Sequence, residues 1–243
     1  MPHAVVRNPV QYRPHLALCR VEAALQEPHS ILWFPPIPPT LLARVADPSM
    51  RRSSVEREVM WAPWEGPGLE HLRLVTSDGG VVANGLVIGV EAGRPFRIDY
   101  EMRCDGRWRV REIRAAAPDS ELPVLELLTD GEGRWKRRGG EPVPELDGCI
   151  DVDISATPFT NTLPIRRLGL KPGQSEELAV TYIRVPELLV GPERQRYGCL
   201  ETRIDGGLYR FEALPSGFTA DLPVDAEGLV LDYPGLFRRA WSG

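Results

Sequence analysis

Phe96-Arg97-Ile98-Asp99-Tyr100-Glu101-Met102-Arg103-Cys104-Asp105-Gly106-Arg107-Trp108-Arg109-Val110 is the stretch that decides the fold. Phe96, Ile98, Tyr100, Met102 and Cys104 occupy one parity, and Arg97, Asp99, Glu101, Arg103 and Asp105 the other. A period of two belongs to a β-strand with one face on the core and one in water. Asp105-Gly106 then predicts a hairpin turn, because glycine accepts the positive φ that such turns demand. Trp108 and Val110 resume the apolar face, with Arg107, Arg109 and Arg111 opposite. Acidic and basic side chains therefore face each other across strands, at about 0.2–1 kcal/mol per pair.

The same grammar extends outward from this hairpin. Strands are expected over residues 69–76, 81–90, 124–128, 133–137, 150–154, 177–185, 195–204, 208–213, 218–224 and 229–232. Turn clusters separate them, among them Ser77-Asp78-Gly79-Gly80, Asp130-Gly131-Glu132-Gly133 and Lys171-Pro172-Gly173. Short strands joined by glycine turns predict an all-β fold: a curved antiparallel sheet, closed as a barrel or open as a half-barrel, with few short helices. The best helix candidate is 234–241, which has proline at its first position. A second Asp-Gly hairpin at Asp205-Gly206 and a second Asp-x-Glu-Gly turn at Asp225 lie about a hundred residues after the first of each kind. They point to an internal duplication, against the alternative that turn chemistry makes hairpins alike.

The chain has 243 residues, with 24 prolines and 23 glycines, but the two are not evenly mixed. Nine prolines lie in residues 1–48, and the first glycine is Gly66. His3, His15 and His29 and the run Pro35-Pro36-Ile37-Pro38-Pro39 also lie in this part. Residues 1–58 are therefore read as a proline-rich, disordered leader with one short helix at 39–45, and 59–243 as the β domain. Met50 and Met60 are alternative starts, so the leader is either an unstructured tail or an over-extended reading frame. A net charge of −5 argues against a nucleic-acid partner. No apolar run approaches a membrane span, and no signal peptide is legible, so a cytoplasmic protein that is not integral to a membrane is expected. Cys19, Cys104, Cys149 and Cys199 lack metal-ligand or CxxC spacing and are read as free thiols.

Chemistry concentrates in Glu145-Leu146-Asp147-Gly148-Cys149-Ile150-Asp151-Val152-Asp153 and in the following Thr157-Pro158-Phe159-Thr160-Asn161-Thr162-Leu163-Pro164-Ile165-Arg166-Arg167. In a strand, Asp151 and Asp153 point to one face about 7 Å apart. Three readings stand side by side: a general acid and base as in glycoside hydrolysis, ligands for a hard cation, or ion pairs with Arg166 and Arg167. Pro158 and Pro164 predict that residues 157–167 form an irregular loop. Because it carries Phe159, Leu163 and Ile165, that loop folds over a core edge or a ligand groove. Thr160 and Asn161 are equipped to bond backbone or a ligand hydroxyl. Trp135 stands among Arg134, Lys136, Arg137 and Arg138, as an aromatic for an anionic headgroup or on a solvated strand. His71 is the lone histidine after residue 58, with no GxSxG nearby, and is read as an ordinary strand residue. Glycine-rich phosphate loops are missing too, and neither cofactor nor metal is expected.

Gly68-Leu69-Glu70-His71-Leu72-Arg73-Leu74, the two segments above, Gln195-Arg196-Tyr197 and Asp232-Tyr233-Pro234-Gly235-Leu236-Phe237 resemble the bacterial putative glycolipid-binding family. The resemblance covers about residues 59–239. It implies an antiparallel β structure like the half-barrel carriers that ferry lipoproteins, and no enzymatic activity. Unlike those carriers, this chain shows no secretion signal. The resulting expectation is a lipid- or glycolipid-binding protein that holds an amphiphile in a β-sheet groove. Its expected contacts are Trp135, Asp151, Asp153, Phe159, Thr160, Asn161, Arg166, Arg167 and Tyr197, with Trp135 and Phe159 against the lipid or sugar and the charged groups at the rim. The alternative is a hydrolase acting on a sugar-containing or small carboxylated substrate through Asp151 and Asp153. A structural interaction module is the third reading.

Overall fold

The computed structural model describes residues 54–118 and 120–243. The expected helix at 39–45, the proline run, Cys19 and the rest of the leader up to residue 53 lie outside the described residues. The strands are β1 (Val55–Pro63), β2 (Gly68–Ser77), β3 (Gly80–Glu91), β4 (Arg94–Cys104), β5 (Val110–Ala116), β6 (Leu125–Thr129), β7 (Trp135–Arg137), β8 (Asp151–Ile154), β9 (Ser175–Arg184), β10 (Leu189–Arg203), β11 (Gly206–Ala213), β12 (Phe218–Asp225), β13 (Asp232–Tyr233) and β14 (Phe237–Ser242). One helix, α1 (Thr162–Leu168), follows β8. Two sheets result, with orders β13-β14-β1-β2-β3-β4-β5-β6-β7 and β12-β11-β10-β9-β8. Neither closes into a barrel. The fold is all-β and antiparallel, except that β8 pairs with β9 in parallel. A parallel pair needs a crossover, and the segment containing α1 supplies it.

The alternation is realised along β4, while a register shift at Arg103/Cys104 interrupts it before β5, and the positive φ expected at Gly106 falls on Trp108. Ile98, Tyr100, Met102 and Cys104 are buried in β4, and Val110 and Ile113 in β5. On the other face Arg114 bonds Asp99 at 2.9 Å and Arg138 bonds Glu112 at 2.9 Å. Gly85, opposite Tyr100 across the ladder, is required by packing. A Cβ there would sit 2.1 Å from the Tyr100 ring. β1 begins at Val55, four residues before the expected start at Val59.

Two local expectations are corrected. Residues 234–241 do not form a helix: Gly235, at φ +78°, turns the chain, and β14 runs back along β1, pairing Trp61 with Arg239. The ladder bonds of β1 and the left-handed glycine outweigh the proline signal. Residues 157–167 are not a loop without regular structure. Phe159–Asn161 form a 3-10 turn that leads into α1. Pro164 is the third residue of α1, where no N–H is needed, and Gly169 at φ +56° ends the helix by donating its N–H to Ile165.

The core has two clusters. One lies under the large sheet and contains Trp61, Ile98, Met102 and Ile113, with Phe159 and Leu163 inserted into it. The other lies under the small sheet, around Tyr197, Phe211, Leu222 and Tyr233, and takes in Ile165. Adjacent turns of the 157–168 segment thus plug two cores.

What repeats along the chain is one turn. Asp105, Asp130 and Asp225 each accept, on one carboxylate oxygen, the N–H groups two and four residues ahead. Each also donates its own N–H to the carbonyl four residues on. The Asp205-Gly206 hairpin is different, with Gly206 at φ +151°.

Candidate functional site

Four of the expected residues meet in two adjacent hydrogen-bonded groups. Thr160, entering α1, donates its hydroxyl to Asp153 at 3.0 Å. Gln195 of β10 donates its amide to the other oxygen of Asp153 at 2.6 Å. Tyr197, two residues on and pointing to the same face, donates to the side-chain oxygen of Asn161 at 2.9 Å. Asp153 therefore receives neutral donors and no cation, and burial pushes its carboxyl above the usual range.

Asp153 and Asn161 open onto a cavity of about 330 Å³. Its other polar groups include Tyr182 and Glu193, and no cationic residue lines it. Glu193 is raised by burial and by the neighbouring Asp153 charge. Burial and the same charge raise the Tyr182 hydroxyl. The apolar wall is aromatic: the Phe211, Phe218 and Tyr233 rings lie 6.1–6.2 Å from one another, and Phe237 is 6.4 Å from Tyr233. Phe218 and Leu236, on the rim, are 39% and 42% exposed. Aromatic faces beside carboxyl, amide and phenol groups match a polyhydroxyl ring, which has apolar C–H faces and hydroxyl edges.

Asp151 lies on the same strand as Asp153 but is fully buried, held by the Arg167 guanidinium at 2.5–3.2 Å. Burial pushes its carboxyl up, and Arg167 pulls it back. Of the three readings of Asp151, the ion pair is the one formed. Arg166, next along α1, points elsewhere and lies 5.2 Å above the Trp108 ring. Trp135 is buried and donates its indole N–H to the Cys149 carbonyl at 2.7 Å. Phe159 is fully buried and stacks on Tyr100 at 6.4 Å. Neither lines the cavity, so the apolar groove expected at these two residues is occupied by core packing.

Thr157 reaches a group outside the expected set. Its hydroxyl and that of Tyr100 both donate at 2.7 Å to one oxygen of Glu70. Glu70 is buried and its second oxygen has no partner among the described residues. Burial pushes its carboxyl up to about 7. The signal for Glu70 was its phase: it alternates with Leu72 and Leu74, both buried. The aromatic wall had no such signal, because Phe211, Phe218 and Tyr233 come from three separate strands. Among the described residues, no cluster of three His, Cys, Asp or Glu side chains is arranged to hold a metal ion.

Comparison with known proteins adds three findings. The sequence model of the family described as "Putative glycolipid-binding" matches residues 58–239. A crystal structure of a DUF1089 family protein from Pseudomonas aeruginosa is similar, with 42% identity and a TM-score of 0.63 over 72% of this chain and 95% of that one. Comparison with curated proteins gives no match. The residues matched include β2, the Asp151–Asp153 strand, α1 and the aromatic wall, so the chain belongs to the putative glycolipid-binding family.

Proposed function

We propose that this protein binds a glycolipid-type amphiphile, with the sugar in the cavity at Asp153 and Glu193 and the apolar chain leaving over Phe218 and Leu236. The observation that carries the reading is the pairing of aromatic wall and cation-free carboxyl groups in one cavity. Such a site attracts C–H faces and accepts hydroxyl hydrogen bonds, and it repels anions. The family description supports the same class of ligand. The cytoplasmic location expected from the sequence is part of the proposal, and the free thiols of Cys104, Cys149 and Cys199 support it.

The test is calorimetric titration with octyl glucoside below its micelle concentration, alongside native mass spectrometry of the purified protein. Phe218→Ala and Glu193→Gln should each weaken glucoside binding about tenfold, the scale of one aromatic contact or one charge-assisted hydrogen bond. Equal binding of octanol and octyl glucoside, or unchanged affinity in both variants, overturns the sugar assignment. A hydrolase reading has one specific support, the two raised carboxyl groups Asp153 and Glu193 in one cavity. Its acid–base pair would be these two, since Asp151 is committed to Arg167. It requires turnover of a nitrophenyl glycoside that Glu193→Gln abolishes.

A further inference from the structure

A second cavity, of about 400 Å³, lies at the other end of the 157–168 segment. Gly106, Arg107, Trp108, Arg109, Arg166 and Arg167 line it. Four of these six are arginines and none is acidic. Arg167 is committed to Asp151, and Arg109 pairs with the exposed Glu132. The other two have no carboxylate among the described residues. Arg166 reaches only the Ala226 carbonyl at 3.4 Å and the Trp108 ring. The Arg107 side chain makes no bond there. Two unpaired guanidiniums, Arg107 and Arg166, facing one concavity raise its potential and attract an anion.

Trp108 supplies an independent observation. It is the fourth residue of the Asp105 turn, and its equivalents in the other two turns are Gly133 and Gly228. All three have left-handed backbones, with φ of +63°, +88° and +82°. Glycine accepts that conformation freely and tryptophan does not. Of the three Asp turns, the one that borders the arginine cavity makes the strained choice. Residues held in sparsely populated conformations concentrate at ligand sites. Here the strain turns a buried indole face toward Arg166. From the other side, Gly228 abuts the Arg166 stem, where a Cβ would come within 2.9 Å of Cδ. Arg166 is therefore held in place by an aromatic platform and a glycine turn, without an acid.

We propose that this cavity binds a phosphate group. Guanidinium forks match phosphate oxygens in pairs, and two uncompensated arginines suit a doubly charged oxyanion better than a single carboxylate. The group can belong to a soluble phosphate ester or to a lipid headgroup. The proposal goes beyond the glycan reading. The two cavities share no lining residue, so a failed glucoside titration leaves this one standing, and the reverse holds too.

The experiment titrates the full chain with inorganic phosphate and with glycerol 3-phosphate. In parallel it measures co-sedimentation with phosphatidylcholine vesicles, with and without phosphatidic acid. Binding of the soluble esters alone assigns a soluble ligand, and binding of phosphatidic acid vesicles alone assigns a lipid phosphate. Either supports the proposal. In both cases the Arg107→Ala/Arg166→Ala double variant should lose at least about tenfold in affinity with its melting temperature nearly unchanged. Trp108→Gly should also weaken phosphate binding, but it empties a buried core position and should lower the melting temperature, so the arginine double variant is the one that separates the site from folding. No binding from any of the three phosphate sources above a chloride control overturns the proposal. So does phosphate affinity that survives the double variant or Trp108→Gly.

Discussion

The two ends of the 157–168 segment handle charge in opposite ways. At the Thr157 end, Glu70 and Asp153 are carboxyl groups held by hydroxyls and an amide, with no cation in contact. At the Arg166 end, two of the four guanidiniums that line a cavity, Arg107 and Arg166, have no carboxylate partner among the described residues. Between them the Asp151–Arg167 pair neutralises both signs in the protein interior. One short plug thus separates a site suited to neutral hydroxyl-rich ligands from a site suited to anions. The apolar residues Phe159, Leu163 and Ile165 fix its position in the two cores, and the polar residues between them inherit that position.

The largest effect should come from breaking the central pair. Arg167→Leu leaves the fully buried Asp151 carboxylate without its partner. We expect a loss of about 3–5 kcal/mol in urea unfolding. The double variant Asp151→Leu/Arg167→Leu should regain most of it, because the uncompensated charge is gone. A single variant that unfolds like the wild type would mean that the two ends are independent of this pair.

Glu70 tests the carboxyl end. Its folded value of about 7 exceeds the ordinary 4.5 because burial disfavours the charge. Between those values the folded state holds a proton that the unfolded state has released. Stability from this group is therefore fully present below about pH 4.5 and is lost as pH rises through 7. The gap corresponds to about 3 kcal/mol. Glu70→Gln cannot ionise, so its stability should stay flat where the wild type falls. At pH 8 the variant should be the more stable. At pH 5 the two should be nearly equally stable, since the protonated carboxyl and the amide both leave a donor without an acceptor at the orphaned oxygen position. Parallel pH dependences in urea melts at pH 5 and 8 would remove Glu70 from the comparison.

Legibility in the sequence divides along a related line. The alternation of β4 was readable because it is local, but the turn was not: the positive φ expected at Gly106 falls on Trp108, and a register shift at Arg103/Cys104 breaks the alternation before β5. The plug role of residues 157–167 was readable from apolar residues set among prolines. Its helix was not, because a proline three residues into a helix costs no hydrogen bond and looks like any other proline. The Asp151–Arg167 pair was one of three readings, and only the chain's return through α1 selects it. The aromatic cavity was illegible for a different reason. Asp153, Glu193, Phe218 and Tyr233 are spread over 81 positions, and no local pattern ties a strand's aromatic to a distant carboxyl. The strain at Trp108 is equally invisible in a single turn. It shows only when the three Asp turns are superposed by their hydrogen bonds.

The smallest expected effect sharpens the contrast most. Arg166 and Arg167 are neighbours of the same type on one helix turn, yet only Arg167 meets a carboxylate. Arg166→Gln removes a cation over the Trp108 ring at an exposed position, worth about 0.5–1 kcal/mol. It leaves no buried charge unpaired. Its unfolding free energy should therefore stay within about 1 kcal/mol of wild type, against the several lost by Arg167→Leu. Near-neutrality would mean that folding does not require Arg166, so its placement between an aromatic platform and a glycine turn is left for a ligand to use. A loss as large as that of Arg167→Leu would instead make the arginine end a second structural centre, and the opposition between the two ends would disappear.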